Sequence, residues 1–168
     1  MNTGVLFRGG KLNDCPSLEE IESPKSIVNL RKVKDPSYEG VVDVYSPAPD
    51  SVEVYDVSTG YNQKWIIATL NSIIENQANL PLYIHCAAGK DRTGVIVASI
   101  LGAIGIQSSA ILDDYFLSKG LLQPKRIQDA VDLLTQEQFY RKVDVRVLKK
   151  LFLVVNCTTN PNIDISSH

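Results

Sequence analysis

The most informative part of the sequence is Leu82–Gly94, which reads Leu-Tyr-Ile-His-Cys-Ala-Ala-Gly-Lys-Asp-Arg-Thr-Gly. A short apolar run ends at Cys86, five small or polar residues follow, and Arg92 precedes a second apolar segment. That segment, 93–104, is apolar on almost every side, which predicts a helix in the core. The pattern therefore predicts a strand over 82–86, a tight loop and a buried helix.

A loop between a strand and the N-terminus of a helix is suited to bind an anion. The first-turn N–H groups lack partners within the helix, and the helix dipole is positive at that end. Ala87, Ala88 and Gly89 keep large side chains away from the backbone, so phosphate oxygens can approach it. We call Cys86–Arg92 the signature loop and predict that it binds a phosphate group.

Four side chains in and beside this loop point to chemistry on that phosphate. A helix N-terminus and a nearby cation lower a cysteine pKa from about 8.5 to between about 3.5 and 7.5, so we expect Cys86 to be a nucleophilic thiolate. The planar guanidinium of Arg92 can hold two phosphate oxygens, which lysine cannot imitate. We expect Thr93 to donate a hydrogen bond to the sulfur, and Lys90 to add a second cation at the rim.

Two further positions, His85 and Gly94, are expected to support the loop rather than react. His85 precedes the nucleophile on a strand, so its side chain points to the opposite face, and we expect it to hydrogen-bond the loop backbone. The ordinary alternative is that Cys86 is a buried structural cysteine, as most unpaired cysteines are. Agreement at six fixed positions, from His85 to Gly94, favours the catalytic interpretation.

The segment His85–Gly94 resembles the signature of the cysteine-dependent protein-tyrosine and dual-specificity phosphatases, His-Cys-x-x-Gly-x-x-Arg-Ser/Thr-Gly. It is most similar to the atypical, largely microbial branch whose loop reads Gly-Lys-Asp-Arg-Thr-Gly. The resemblance extends from Phe7–Gly10 and Asn29–Arg31 through the helices after the loop. It implies a phosphatase that needs neither a metal nor another cofactor and forms a phosphocysteine on Cys86.

More than one residue is a candidate for the general acid that protonates the leaving group. The resemblance places an aspartate roughly thirty to forty residues before the cysteine. Asp56, 30 residues upstream, is our preferred candidate, and Asp50, 36 residues upstream, is another. Asp91 is the serious rival because some phosphoinositide phosphatases with an Asp-Arg loop use that aspartate. Alternatively, Asp91 orients Arg92 through a salt bridge.

Composition is that of an ordinary globular domain. The chain has 168 residues, of which 44% are hydrophobic and 21% charged, so it can bury a substantial core. We expect one phosphatase domain over 1–156 and a polar C-terminal tail over 157–168. A formal net charge of −2 argues against nucleic acid as a partner.

The sequence also favours a reducing compartment. No apolar run reaches the roughly 18 residues of a membrane span, and the N-terminal residues do not read as a signal peptide. Cys15, Cys86 and Cys157 are an odd, widely spaced set without metal-type pairing. We therefore expect a cytoplasmic protein without stable membrane insertion, and the oligomeric state stays open.

Hydrophobic patterns elsewhere predict alternating strands and helices, and hence an α/β fold. We expect three α/β/α layers around a mainly parallel sheet of four or five strands, with the loop at the carboxyl end of a strand and a helical C-terminal part. Strands are predicted over 4–8, 26–30, 40–45 and 82–86. Helices are predicted over 17–21, 62–77, 93–104 and 109–118, from Pro124, and along 145–155.

These features favour hydrolysis of phosphotyrosine, with phosphoserine or phosphothreonine in proteins as further substrates. Phosphoinositide or inositol-polyphosphate hydrolysis is the alternative, because Lys90 at the rim can pair with a second phosphate. Sulfur transfer or arsenate reduction explains the Arg-Thr-Gly ending poorly. A catalytically dead phosphopeptide-binding module fits poorly because Cys86 and Arg92 are both present.

Overall fold

The computed structural model describes four stretches of the chain, residues 5–12, 17–48, 53–118 and 123–153. The predictions concerning Cys15, Asp50, Cys157 and the tail 157–168 lie outside the described residues. So does the end of the predicted 1–156 domain.

Four parallel strands form one sheet in the order β1-β4-β2-β3. The strands are β1 Leu6–Gly9, β2 Ser26–Asn29, β3 Val42–Tyr45 and β4 Leu82–His85. All residues of β2 and β4 are buried, as expected for inner strands of a parallel sheet covered on both faces. Because β4 lies between β1 and β2, the segment that follows it leaves from the middle of the carboxyl edge.

Five α-helices and two short 3₁₀ helices complete the described fold. The α-helices are α1 Gly60–Glu75, α2 Asp91–Ala103, α3 Ser108–Phe116, α4 Pro124–Leu134 and α5 Val145–Leu153. The 3₁₀ helices are Leu18–Ile21 and Glu137–Tyr140. Among the described helices, none combines the length and the apolar character needed to cross a membrane. The predicted α/β class with a mainly parallel sheet of four or five strands is confirmed, and the described sheet has four strands, all parallel.

Local differences from the predicted elements come from the helix ends. Helix α1 begins two residues before the predicted start because the Thr59 hydroxyl accepts a hydrogen bond from the Asn62 N–H and caps it. The segment predicted as a helix over 17–21 forms only the short 3₁₀ helix Leu18–Ile21, to which the Ser17 side chain makes no cap hydrogen bond.

The two faces of the sheet carry hydrophobic clusters of very different size. Alternation along the strands turns Val28 and Ile84 toward the large cluster, which includes buried residues of all five α-helices. It turns Ile27 and Tyr83 toward a small cluster covered by the 3₁₀ helix Leu18–Ile21. Helix α2 lies at the centre of the large cluster, with ten of its thirteen residues buried. The central helix therefore holds its N-terminus in a fixed position beside the β4 end.

Gly102 marks the closest approach between α2 and the end of α4. A Cβ at this position would overlap the Leu134 carbonyl and lie 2.9 Å from the Tyr140 hydroxyl oxygen. Gly102→Ala should therefore lower the free energy of unfolding by about 1–3 kcal/mol, measured by urea denaturation. Gly60→Ala is the matched control, because a Cβ there meets nothing within 4 Å. Equal stability of the two variants would contradict this packing.

Candidate active site

The signature loop connects the carboxyl end of β4 to the N-terminus of α2. Cys86 follows the last β4 residue, and α2 begins at Asp91, so Arg92 and Thr93 lie in the first helical turn. The structure thus brings the nucleophile candidate, the loop N–H groups and the arginine to one end of the buried helix. This is the place where open α/β sheets bind ligands.

The Cys86 thiol is buried, with 2% of the residue exposed, and its Sγ accepts a hydrogen bond from the Gly89 N–H at 3.3 Å. Burial raises the pKa of the thiol, but the side chain and backbone N–H of Thr93, the Gly89 N–H and the positive charge of Arg92 together lower it. The net pKa lies below the ordinary value for cysteine. The loop therefore favours the reactive thiolate.

Thr93 contributes to that shift through a buried hydroxyl. Its Oγ1 has no partner at ordinary hydrogen-bond geometry among the described residues. The hydroxyl nevertheless contributes to the lowered pKa of Cys86, so the sulfur is the acceptor toward which it acts. A hydroxyl in this position can turn to donate to the thiolate once the sulfur is charged.

Gly89 shapes the loop through its backbone. It has a φ of +70°, which glycine adopts without strain, and a Cβ there would overlap the Gly9 carbonyl and lie 2.8 Å from the Gly10 nitrogen. The Lys11 N–H also donates to the Ala87 carbonyl at 3.2 Å. The chain after β1 therefore lies directly against the loop. The two glycines that end and follow β1, Gly9 and Gly10, are a sequence signal for such a close approach, although no role was predicted for them.

Arg92 is half-buried and is held from the β2 side. Its Nη1 donates to the Leu30 carbonyl at 3.4 Å, and the same carbonyl accepts from the Ala48 N–H at 3.1 Å. This bond uses one of the five N–H donors of the guanidinium. Among the described residues, the remaining donors have no assigned partner and are available to phosphate oxygens.

The outer side of the loop is open. Ala87 and Ala88 are exposed, Gly89 is buried and Lys90 is half-buried. The two exposed alanines place no large side chain on this side of the loop, and Lys90 follows Gly89 at its end.

His85 points away from the nucleophile, as strand alternation predicts. Its Nε2 lies 2.6 Å from Asp35 Oδ2, and its Nδ1 lies 3.4 Å from the Cys86 carbonyl oxygen. Burial lowers the pKa of His85, and the Asp35 carboxylate opposes that effect without reversing it. Nε2 donates a hydrogen bond to the Asp35 carboxylate, whose oxygens are acceptors. Arg31 pairs with the same carboxylate at 3.6 Å.

Asp91 is exposed and lies at the first position of α2, where its carboxylate is held by a tyrosine. The Tyr55 hydroxyl donates to Asp91 Oδ1 at 2.5 Å and contacts the Tyr115 hydroxyl at 2.7 Å. Gly94 admits this arrangement, because a Cβ there would lie 3.0 Å from the Tyr115 ring. Sequence reasoning missed both tyrosines.

Asp56, the other described acid candidate, has only local contacts. Its Oδ1 accepts a hydrogen bond from the Ser58 hydroxyl at 2.7 Å, and its carbonyl accepts one from the Asn62 side chain at 3.1 Å. It lines an open cavity of about 300 Å³ together with Tyr55 and Arg126. The hydrogen bonds of the described residues thus connect Asp91, and not the Asp56 side chain, to the tyrosines behind the loop.

Comparison with known proteins gives a consistent result. A family model described as "Tyrosine phosphatase family" matches residues 1–160. The triple specificity protein phosphatase PtpB of Mycobacterium tuberculosis is 37% identical over 62 residues, 37% of this chain and 22% of that protein. A tyrosine-protein phosphatase of Nostoc commune is 34% identical over 87 residues, 50% of this chain and 29% of that protein. These matches span less than a third of each relative.

Among solved structures, the core catalytic domain of the PP-IP phosphatase SIW14 from S. cerevisiae, in complex with citrate, is similar with a TM-score of 0.60. The match covers 83% of this chain and 88% of that chain at 20% identity. At that identity the similarity concerns the fold.

Proposed function

The chain belongs to the tyrosine phosphatase family, and we propose that it hydrolyses phosphomonoesters, above all phosphotyrosine, through a phosphocysteine on Cys86. The observation that carries this proposal is a buried thiol with a lowered pKa at the start of a loop that ends in a half-buried arginine. Thiolate and guanidinium in one anion-binding loop are the parts that phosphoryl transfer to sulfur requires.

In the first step the Cys86 thiolate attacks the phosphorus atom in line with the ester oxygen. The sulfur–phosphorus bond forms, the bond from phosphorus to the leaving oxygen breaks, and a carboxylic acid gives that oxygen a proton. Loop N–H groups and the Arg92 guanidinium stabilise charge on the three equatorial oxygens. Ala87, Ala88 and Gly89 bring only backbone and small groups to this surface.

In the second step water hydrolyses the phosphocysteine. A water oxygen bonds to phosphorus, the phosphorus–sulfur bond breaks, and the water proton passes to the carboxylate that acted as acid. The Thr93 hydroxyl and the Gly89 N–H stabilise the departing thiolate. Inorganic phosphate leaves, and the enzyme returns to its starting state.

Two described carboxyl groups can serve as the acid, and their contacts favour Asp91. Both residues are exposed, but Asp91 lies inside the signature loop and accepts a hydrogen bond from the buried Tyr55, whereas the Asp56 carboxylate accepts one from the exposed Ser58. Asp56, which the spacing favoured, is kept as the competing assignment. His85 and Gly94 support the loop without contacting the substrate in this scheme.

A polyanionic substrate is the second candidate. Lys90 is half-buried beside the open side of the loop, where it can pair with a further phosphate of a phosphoinositide or an inositol polyphosphate. The fold neighbour SIW14 is described as a PP-IP phosphatase, which is consistent with that class. The thiolate mechanism is the same for both substrate classes. It also favours a reducing compartment, so we place the protein in the cytoplasm.

A turnover panel tests the proposal. Phosphate release is measured from a phosphotyrosine peptide, the matched phosphoserine peptide and a phosphoinositide, with Cys86→Ser as the background. We expect kcat/KM for phosphotyrosine to exceed that for phosphoserine by at least about tenfold, since aryl oxygen is the better leaving group. A higher value for the phosphoinositide would select the second candidate. Release from none of the three would contradict the proposal.

A further inference from the structure

Two buried tyrosines lie behind Asp91 and bring together segments that are far apart in the sequence. Tyr55 precedes α1 and Tyr115 lies in α3; 5% and 2% of these residues are exposed. Their rings pack edge to face, with centroids 6.3 Å apart. The Tyr115 hydroxyl also accepts a hydrogen bond from the Gln123 N–H, the cap residue of α4, at 3.3 Å.

The direction of this hydrogen-bond chain follows from its two ends. A backbone N–H can only donate, so the Tyr115 oxygen accepts from Gln123. The Tyr55 hydroxyl has a single O–H and donates it in the hydrogen bond to Asp91 Oδ1, so toward Tyr115 its oxygen can only accept. The remaining bond, at 2.7 Å, therefore has Tyr115 as donor and Tyr55 as acceptor. The three hydrogen bonds thus form one chain, which runs from the Gln123 N–H through Tyr115 and Tyr55 to Asp91 Oδ1. Hydrogen bonds aligned in this way polarise and strengthen one another.

We propose that Tyr55, aligned by Tyr115, is a positioning residue that holds the Asp91 carboxylate at the edge of the signature loop for proton transfer to the leaving oxygen. This inference rests on the proposed function and adds Tyr55 and Tyr115 as residues that position its general acid. The exposed aspartate would otherwise rotate among several side-chain conformers. A fixed carboxyl group close to the leaving oxygen raises the fraction of productive encounters.

Tyr55 does not serve as the acid itself. Burial, followed by the hydrogen bond to Asp91, raises the pKa of Tyr55 far above its ordinary value, so the phenol keeps its proton at neutral pH. The phenol therefore acts through the carboxylate. Its loss should affect substrates that need a proton on the leaving oxygen, and not the binding of phosphate in the loop.

The test compares phenyl phosphate, which has a poor leaving group, with p-nitrophenyl phosphate, which has a good one. Tyr55→Phe should lower kcat on phenyl phosphate by about ten- to hundredfold, as expected for one hydrogen bond to a charged group, and by less than about threefold on p-nitrophenyl phosphate. KM should not change. In an Asp91→Asn background, Tyr55→Phe should cause no further loss, because its effect acts through that carboxylate.

Tyr140→Phe is the control. It removes another buried phenol, whose hydroxyl lies 2.9 Å from the Ser99 carbonyl oxygen, and should leave the ratio of the two substrates unchanged. Asp56→Asn tests the competing candidate for the acid, and we expect it to leave that ratio unchanged because Asp91 supplies the proton. Should Tyr55→Phe fail to fold in thermal melting, Tyr115→Phe removes the donor behind it and should give a smaller effect of the same kind.

Equal losses on both substrates would indicate only structural support and overturn the inference, as would independent effects of Tyr55→Phe and Asp91→Asn. A leaving-group effect confined to Asp56→Asn would also overturn it, while the proposed function would stand. A wild-type protein that releases phosphate from neither substrate would refute the proposed function, and this inference with it.

Discussion

Replacing Cys86 by serine is expected to reduce turnover by at least about 10⁴-fold, the loss that follows removal of a catalytic nucleophile. The loop lowers the pKa of the thiol through Thr93, Gly89 and Arg92. A serine hydroxyl starts from a far higher pKa, so the same contacts leave it protonated and unreactive. The measurement is initial-rate phosphate release from a phosphotyrosine peptide.

Anion binding distinguishes loss of the nucleophile from loss of the loop. Cys86→Ser should bind tungstate, a phosphate mimic, within about threefold of the wild-type affinity, because the loop N–H groups and Arg92 are retained. Calorimetry gives the affinity, and thermal melting confirms folding. A serine variant with normal turnover would rule out Cys86 as the nucleophile.

Arg92→Lys is expected to lower kcat/KM by at least about 10²–10³-fold, the range found when one donor to a transition-state oxyanion is removed. The Arg92 guanidinium donates one N–H to the Leu30 carbonyl, and its other N–H groups can bind the phosphate in one plane. A lysine ammonium retains the charge but cannot hold two oxygens in one plane. The decrease in kcat/KM therefore measures the contribution of the planar guanidinium geometry, since the positive charge is retained.

Arg146→Lys provides the matched control for this change. The Arg146 side chain lies in α5, is 91% exposed and pairs with Asp144, which precedes that helix. Its replacement should leave kcat/KM within about twofold, since exposed ion pairs contribute little. Equal effects of the two substitutions, or an active Arg92→Lys enzyme, would contradict the proposed role of the guanidinium.

The signature loop was predictable because its chemistry is contiguous in the sequence. The apolar run of β4, the small residues after Cys86 and the apolar α2 each carry a local signal, and together they predict a loop at the carboxyl end of a parallel strand. Alternation along β4 likewise predicted that His85 points away from the nucleophile. Both inferences need only the positions of neighbours along one segment.

The sequence carries no comparable local signal for the side-chain pairs that form behind the loop. Tyr55 and Asp91 are 36 positions apart, Tyr55 and Tyr115 are 60 apart, and His85 and Asp35 are 50 apart. These pairs depend on which turns and helix ends the topology brings together. Composition and periodicity do not contain that information.

The prediction of Asp56 as the general acid shows what spacing along the chain cannot determine. Spacing from Cys86 fixes the length of chain between the two residues, but it does not fix the direction of the side chain. In the structure the neighbouring residue, Tyr55, turns inward to the loop, and Asp56 turns to the Ser58 hydroxyl. The contacts of the folded chain, and not the spacing, therefore direct attention to Asp91.

The most direct test is to trap the intermediate during turnover. The enzyme is mixed with excess aryl phosphate, quenched in acid within the steady state, digested and analysed by mass spectrometry. We predict one phosphoryl group on the peptide that contains Cys86, and none in the Cys86→Ser variant. Phosphate release without any phosphoryl group on that peptide would contradict the proposed phosphocysteine.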